Sequence, residues 1–160
     1  MHQNSMRLMR HFRNNYLKEI EDCKVLDIGS KRVKRKHNTY RRIFQPPYLY
    51  IGMDIEPGLN VDVVGYENIP SFKFNAVISG QVMEHVEYPW DWLKSLKKYS
   101  KQYICIIVPN TCREHRYPID TFRYFPDGIR ALFKHAGIEE LEITKSKSDT
   151  IGIGGVDGNI

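Results

Sequence analysis

Two apolar stretches that each end in an acidic residue limit the folds open to this sequence. Residues 24–30, KVLDIGS, break at Gly29, and residues 50–54, YIGMD, end at Asp54. Each pattern predicts a buried strand that turns at its carboxyl end. Their separation is that of one strand–helix–strand unit, so we expect neighbouring parallel strands whose carboxyl ends share the sheet edge where open α/β sheets bind ligands. A tight turn beside a carboxylate at that edge suits a nucleoside.

The turn after the first strand excludes two common nucleotide-binding motifs. A dinucleotide-binding turn needs G-x-G-x-x-G at the start of a helix. Here Gly29 is followed by residues 30–36, SKRVKRK, which contain no further glycine, and the sequence has no P-loop. What remains is V-L-D-x-G, followed by an acid at the end of the next strand.

These motifs resemble the first two motifs of class I S-adenosylmethionine-dependent methyltransferases. Three further segments resemble the third, fourth and fifth strand motifs of the family, in the family's order and spacing: residues 60–64 (NVDVV), 74–86 (FNAVISGQVMEHV) and 106–110 (IIVPN). Residues 115–120 (HRYPID) and 125–127 (FPD) are similar to the small type 11 subgroup. The resemblance spans residues 20–155 and implies S-adenosylmethionine as the cofactor.

The fold expected is a Rossmann-like, doubly wound α/β sheet of seven strands, mostly parallel with a C-terminal antiparallel strand. We expect one methyltransferase domain over residues 1–160, with a leading helix in 1–20 and the Rossmann-like core in 24–155. Helical spacing of apolar residues predicts that the leading helix packs over the cofactor crevice. Trp90 and Trp92, in a helix that starts near Pro89, are expected in the core.

Composition favours an ordinary globular chain, with 41% hydrophobic and 27% charged residues. No apolar run approaches the roughly 18 residues that span a bilayer, and no secretory signal is evident. We therefore expect a cytoplasmic protein with no membrane partner. Cys23, Cys105 and Cys112 are odd in number and predict reduced thiols. Because neither C-x-x-C nor H-E-x-x-H occurs, we expect no metal.

Basic residues are concentrated in the first part of the chain. Residues 1–49 hold 12 Lys or Arg and 4 Asp or Glu, a net charge of +8, whereas residues 50–160 hold 12 and 15, a net charge of −3. The run at 31–42 is not explained by the cofactor, which carries no phosphate. It is either a solvated loop or a clamp for a phosphorylated, nucleotide-linked or nucleic-acid substrate.

Asp54 is the strongest candidate for a cofactor contact. A carboxylate accepts two hydrogen bonds in a fork, which matches the vicinal hydroxyls of a ribose, and the alternative is a turn or capping acid. The resemblance implies that Asp62 or the next backbone amide meets the adenine; an exposed Asp on a short strand is the alternative. It also implies that residues 79–81 contact the methionine half of the cofactor. The predicted cofactor residues are Asp27, Gly29, Ser30, Asp54, Ile55, Asp62, Val63, Ser79, Gly80 and Gln81.

The polar loop at 111–124 leaves the same sheet edge and is expected to cover the acceptor side of the crevice. His115 in this loop is the predicted catalytic base, because histidine changes its charge near neutral pH. An inert loop histidine is the alternative. The predicted substrate contacts are His85, Arg116, Tyr117, Asp120 and Arg123, although His85 could be structural and the charged residues could pin the loop by ion pairs.

These patterns predict methyl transfer to a small-molecule polar acceptor, such as a saccharide or a phosphorylated metabolite, by a monomer or homodimer. The reaction depends on positioning the acceptor in line with the sulfonium. A nucleic-acid methyltransferase that uses the basic half of the chain is a less favoured alternative. A non-catalytic cofactor-binding or scaffold domain is another. A nicotinamide dehydrogenase is disfavoured by the missing glycines.

Overall fold

The computed structural model describes residues 2–34 and 38–156, so part of the predicted basic run, residues 35–37, lies outside the described residues. The described residues form a seven-stranded sheet in the order β3-β2-β1-β4-β5-β7-β6. Its strands are β1 (Lys24–Ile28), β2 (Leu49–Asp54), β3 (Val63–Val64), β4 (Phe74–Gly80), β5 (Ser100–Pro109), β6 (Glu139–Ser146) and β7 (Asp149–Gly155). The predicted fold class is confirmed.

Six of the strands run in one direction, and β7 is antiparallel to both of its neighbours, β5 and β6. Strand β5 lies inside the sheet, where residues 104–108, ICIIV, are buried on both faces. A continuous run of apolar, largely β-branched residues is expected of such a strand, because neither face meets water. The predicted C-terminal antiparallel strand is β7.

The leading helix covers one face of the sheet. It comprises α1 (Gln3–Phe12) and a π-helical turn, Arg13–Leu17, and it buries Met9, Phe12 and Leu17 against the sheet. Tyr40 and Phe44 extend this apolar layer from the β1–β2 connection. This helix lies within residues 1–20, where the sequence predicts a leading helix.

Helices α2 (Pro89–Leu96) and α3 (Pro126–Ala136) cover the opposite face. A proline at the first turn of each helix fits there because that position has no hydrogen bond to lose. Gly137 ends α3 in the left-handed conformation, with φ 64°. No helix in the described part of the chain is both long and apolar enough to cross a membrane.

The prediction that both tryptophans lie in the core is wrong for Trp90. This residue is 38% exposed, whereas Trp92 is half-buried and donates its indole N–H to the Tyr66 hydroxyl at 2.7 Å. Residues two apart on a helix point in different directions. Only one of the two rings can therefore face the sheet.

Candidate functional site

The carboxyl ends of three central strands lie level with one another. Ile28 at the end of β1 pairs with Met53 of β2 on one side and with Ser79 of β4 on the other. Gly29, Asp54 and Gly80 each come one residue later and therefore lie side by side. The structure thus brings the main predicted cofactor residues to one edge.

Asp54 accepts hydrogen bonds from the backbone of two neighbouring residues. One oxygen accepts from the Lys31 N–H at 2.9 Å, and the other accepts from the Glu56 N–H at 3.3 Å. The Gly29 and Ser30 N–H groups both donate to the Met53 carbonyl, at 2.9 and 3.0 Å. The turn is therefore tied directly to β2. Because each carboxylate oxygen has two lone pairs, Asp54 retains an acceptor position on each oxygen.

Asp62 and Ser30 hold the chain segment beside this turn. Asp62 accepts from the Gly52 N–H at 2.7 Å and also binds the Arg41 guanidinium. The Ser30 hydroxyl donates to the Asn60 carbonyl at 3.1 Å. Both predicted cofactor residues thus have structural partners at the edge.

Two apolar residues of the predicted set flank Asp54. Val63 pairs with Met53 between β3 and β2 and is half-buried, whereas Ile55 is exposed just beyond β2. Both lie on the adenosine side of the edge that the sequence predicts.

Asp27 is buried on β1 and accepts a hydrogen bond from the Tyr50 hydroxyl. Its second oxygen, Oδ1, has no hydrogen-bond partner among the described residues. Burial raises the pKa of Asp27 to about 7, although the Tyr50 hydroxyl and the Arg41 charge act in the opposite direction. Asp27 is therefore an acid that holds its proton close to neutral pH.

Two of the predicted cofactor glycines are packed against side chains of this chain. A Cβ on Gly80 would overlap the Tyr40 hydroxyl, and one on Gly29, at φ 79°, would overlap Val82. Tyr40 is fully buried, and its hydroxyl hydrogen-bonds the Ser5 hydroxyl at 2.5 Å. Sequence reasoning missed Tyr40, whose one signal is an aromatic residue at the end of a basic run.

Ser79 and Gln81 are hydrogen-bonded within the sheet edge. The Ser79 hydroxyl donates to the Ile28 carbonyl at 2.8 Å, and the Gln81 amide donates to Asp149 Oδ1 at 3.1 Å. Asp149 is buried at the start of β7 and also accepts from the Asn4 amide at 2.5 Å. The first turn of α1 therefore lies at this edge, as expected of a helix above the crevice.

Glu84, His85 and His115 form a second cluster, which joins the end of β4 to the 111–124 loop. Glu84 Oε1 lies 3.7 Å from His85 Nε2 and 3.8 Å from His115 Nε2. The two imidazole rings meet edge to face, with centroids 4.9 Å apart. The structure thus brings the predicted base and one predicted substrate residue together over a buried carboxylate.

Glu84 was not among the predicted site residues, although it precedes His85 in the E-H pair of the fourth motif. Its side chain is fully buried, and neither oxygen has a hydrogen-bond partner within the described part of the chain. Burial raises the pKa of Glu84 to about 8. Burial also lowers the pKa of His85. Both effects favour the uncharged forms of these groups.

Asp120 and Arg123 hold the loop in place. Arg123 binds both oxygens of Asp120 at 2.6 Å and donates to the backbone carbonyls of Cys112 at 2.8 Å and Arg113 at 2.9 Å. Asp120 also accepts from the His115 N–H at 2.6 Å. These contacts support the alternative that this ion pair pins the loop and thereby positions His115.

Arg116 and Tyr117 lie at the outer rim of the cluster. Arg116 is 74% exposed and pairs with Glu114 at 2.8 Å. The Tyr117 ring lies 6.0 Å from the ring of His85. Of the predicted substrate residues, Asp120 and His85 contact His115 directly. Tyr117 contacts His85, and Arg116 borders a small surface cavity of about 260 Å³.

Searches against known proteins give similarity at the level of the fold. No protein-family model matches the chain, and no curated protein matches it. The N-terminal domain of EvdMO1 with SAH bound is 17% identical and gives a TM-score of 0.64, over 98% of this chain and 83% of that one. Magnesium protoporphyrin IX methyltransferase from Synechocystis, with bound SAM, is 13% identical with a TM-score of 0.67, over 97% and 79%.

A third solved structure is a putative methyltransferase from Haloferax volcanii in complex with the Trm112 methyltransferase activator. It is 14% identical, with a TM-score of 0.70 over 99% of this chain and 91% of that one. These likenesses show a shared chain fold.

Proposed function

From the class I methyltransferase fold of this chain, we propose that it binds S-adenosylmethionine at the carboxyl edge of β1, β2 and β4 and transfers the methyl group to a small polar acceptor. The observation that supports this most directly is the alignment of Gly29, Asp54 and Gly80 at one edge. Two of the similar structures contain SAM or SAH.

In this proposal Asp54 binds the ribose. Its two backbone hydrogen bonds, from Lys31 and Glu56, fix the carboxylate at the end of β2. The remaining lone pair on each oxygen accepts one of the two vicinal hydroxyls. The amino-acid tail of the cofactor then passes the Gly29 turn toward Tyr40 and residues 79–81.

The acceptor binds beneath the 111–124 loop, next to Glu84, His85 and His115. Its oxygen attacks the methyl carbon, the carbon–sulfur bond breaks, and sulfur keeps the bonding pair as a neutral thioether. The acceptor proton passes to Nε2 of His115, whose side chain is a third exposed. Holding the three reacting atoms in line supplies most of the acceleration, up to about 7 to 11 kcal/mol in well-oriented systems.

A basic cavity supports an acceptor that carries phosphate. It has a volume of about 450 Å³ and lies between α1 and the β6–β7 turn, where Arg7, Arg10 and Lys147 are among its lining residues. Guanidinium and ammonium groups bind phosphate oxygens through charge-assisted hydrogen bonds. These cations favour a phosphorylated metabolite over a neutral saccharide.

Calorimetric titration with S-adenosylmethionine and S-adenosylhomocysteine tests the cofactor site. Asp54→Ala should weaken binding by about 1.5 to 3 kcal/mol, because it removes hydrogen bonds to a charged group. Glu19→Ala is the matched control, since Glu19 is an exposed acid that precedes β1 and lies at the opposite edge. Equal affinity in the Asp54 variant and the wild type would disprove this assignment of the ribose contact.

A methyl-transfer assay separates the enzyme from the non-catalytic alternative. The wild-type chain is incubated with radiolabelled S-adenosylmethionine and a panel of hydroxylated and phosphorylated metabolites, and label in the acceptor fraction is measured. Transfer to an acceptor supports the enzyme. Tight binding of cofactor without transfer to any acceptor in the panel or in a cell extract supports a binding or scaffold domain.

A further inference from the structure

Three lone pairs converge in the cluster of Glu84, His85 and His115. The nearest carboxylate oxygen, Glu84 Oε1, lies 3.7 Å from one Nε2 atom and 3.8 Å from the other. The three potential ligand atoms all lie within 4.8 Å of one another. Which of these atoms carry hydrogen decides what the cluster can bind.

The hydrogen bond at Nδ1 of each imidazole ring identifies which ring nitrogen carries the proton. His85 Nδ1 lies 2.6 Å from the Ile119 carbonyl, and His115 Nδ1 lies 3.1 Å from the Arg113 carbonyl. A carbonyl oxygen can only accept a hydrogen bond, so each Nδ1 must be the donor. In a neutral ring this leaves Nε2 bare. Both bare nitrogens face Glu84.

Glu84 adds a third acceptor group that faces no hydrogen-bond donor. Its side chain is fully buried, and neither oxygen is hydrogen-bonded within residues 2–34 and 38–156. A buried carboxyl group normally has partners, because an unsatisfied one costs free energy. The distances of 3.7 and 3.8 Å are too long for a shared hydrogen bond. A proton on Glu84 would therefore reach neither imidazole.

We propose that Glu84, His85 and His115 bind a divalent first-row transition metal ion. A tetrahedral site with bonds near 2.1 Å places its ligand atoms about 3.4 Å apart. The two distances from Glu84 Oε1, 3.7 and 3.8 Å, would shorten by about 0.3 to 0.4 Å, and the widest pair, at most 4.8 Å apart, by up to about 1.4 Å. Donation of each Nδ1–H to a carbonyl is the outer-shell contact that metal-ligating histidines commonly make. Two imidazoles with one carboxylate suit Zn²⁺, Fe²⁺ or Co²⁺ better than Mg²⁺ or Ca²⁺, which prefer oxygen ligands.

The loop supplies the support that such a site needs. Thr121 donates to the Glu84 carbonyl from its backbone N–H at 2.7 Å and from its hydroxyl at 2.8 Å. The Asp120 carboxylate fixes the backbone of His115 at 2.6 Å. Three protein ligands leave a coordination position free, as in catalytic zinc sites. Held by Glu84, His85 and His115, the ion would lower the pKa of an acceptor hydroxyl at the free position, and the proton of that hydroxyl would pass to water. His115 Nε2 would then be a ligand, and it would take the acceptor proton only in the metal-free chain.

Metal binding is tested without cofactor or acceptor, which separates this inference from the proposed methyl transfer. The chelator-treated protein is titrated with Co²⁺, whose visible absorption reports ligand number and geometry, and Zn²⁺ competition is then measured. The starting chain carries Cys112→Ser, because the Cys112 thiol lies 3.8 Å from His115 Nδ1 and could bind cobalt. We expect one Co²⁺ per chain, displaced by one Zn²⁺.

Glu84→Gln and His115→Ala should each weaken Co²⁺ binding by at least about 100-fold, because loss of groups that merely orient ligands already costs about 10- to 100-fold. The control is His11→Ala, since His11 forms a half-buried pair with Glu142 at 2.9 Å and lies outside the cluster. His115→Ala changes only a loop residue and keeps the test valid if the buried Glu84 variant fails to fold.

Two results would overturn the inference. One is the absence of saturable Co²⁺ binding by the folded chain with its cluster intact. The other is a Co²⁺ affinity that neither Glu84→Gln nor His115→Ala lowers, whether or not His11→Ala lowers it. Either result would mean that Glu84, His85 and His115 form a cluster of titratable groups that binds no metal ion.

Discussion

Replacing Asp27 with asparagine removes an acid that the fold holds in its protonated form. The pKa of Asp27 is about 7 in the folded chain, because of burial, against an ordinary value of 3.8. Between these two values the unfolded chain releases a proton that the folded chain keeps. The free energy of unfolding of the wild type therefore falls as pH rises through this window, at up to about 1.4 kcal/mol per pH unit.

Between pH 3.8 and about 7, the titration of Asp27 lowers the free energy of unfolding of the wild type by about 4 kcal/mol. The amide of the Asp27→Asn variant does not titrate, but its oxygen can still accept the hydrogen bond from the Tyr50 hydroxyl. Any packing cost of the amide is the same at every pH, so it shifts the stability of the variant without changing the slope. Compared with the wild type, Asp27→Asn should gain stability as pH rises from 4 to 8.

Urea unfolding followed by tryptophan fluorescence at several pH values measures this difference, since Trp92 packs against the core. Asp127→Asn is the control, because Asp127 is 97% exposed at the start of α3. Parallel stability curves for the wild type and Asp27→Asn would refute the reasoning, because they would mean that Asp27 titrates alike in the folded and unfolded chains.

Three further results are expected. His115→Ala should lower turnover by roughly 100-fold or more with little change in cofactor affinity, and equal turnover would return His115 to a loop role. Gly80→Ala should destabilise the chain by about 1 to 3 kcal/mol through overlap with Tyr40. Thermal unfolding should show its control, Gly128→Ala, to be neutral or slightly stabilising, because the added methyl meets no atom within 4 Å. The nucleic-acid alternative predicts retention on immobilised RNA or DNA that falls steeply with salt; no retention at physiological salt would exclude it.

The strands were predictable because their signals are local. Residues 24–28 and 104–108 are apolar runs bounded by polar or turn residues, and the acid at the end of β2 follows directly from the chain order. The register that places Asp54 beside Gly29 also follows from parallel neighbours of similar length. Single-domain organisation and the roles of the individual site residues stay predictions.

The rest of the site depends on contacts between distant parts of the chain. Tyr40 packs on Gly80 and bonds Ser5, and Glu84 meets His115 through the fold of a polar loop. A motif search for closely spaced metal ligands cannot detect this last pair, because its members come from two different chain segments. The wrong expectation for Trp90 arose because hydrophobic character alone does not specify which side of a helix faces the sheet.

Strand β7 lies between β5 and β6, although it follows both of them in the chain. Until residues 149–155 have emerged from the ribosome, β5 offers unpaired backbone groups along an edge that includes the apolar residues 104–108. Open edges of this kind attract other chains. The β6–β7 hairpin therefore covers the buried edge of β5. Slow translation or early termination near residue 146 should make the nascent protein dependent on chaperones.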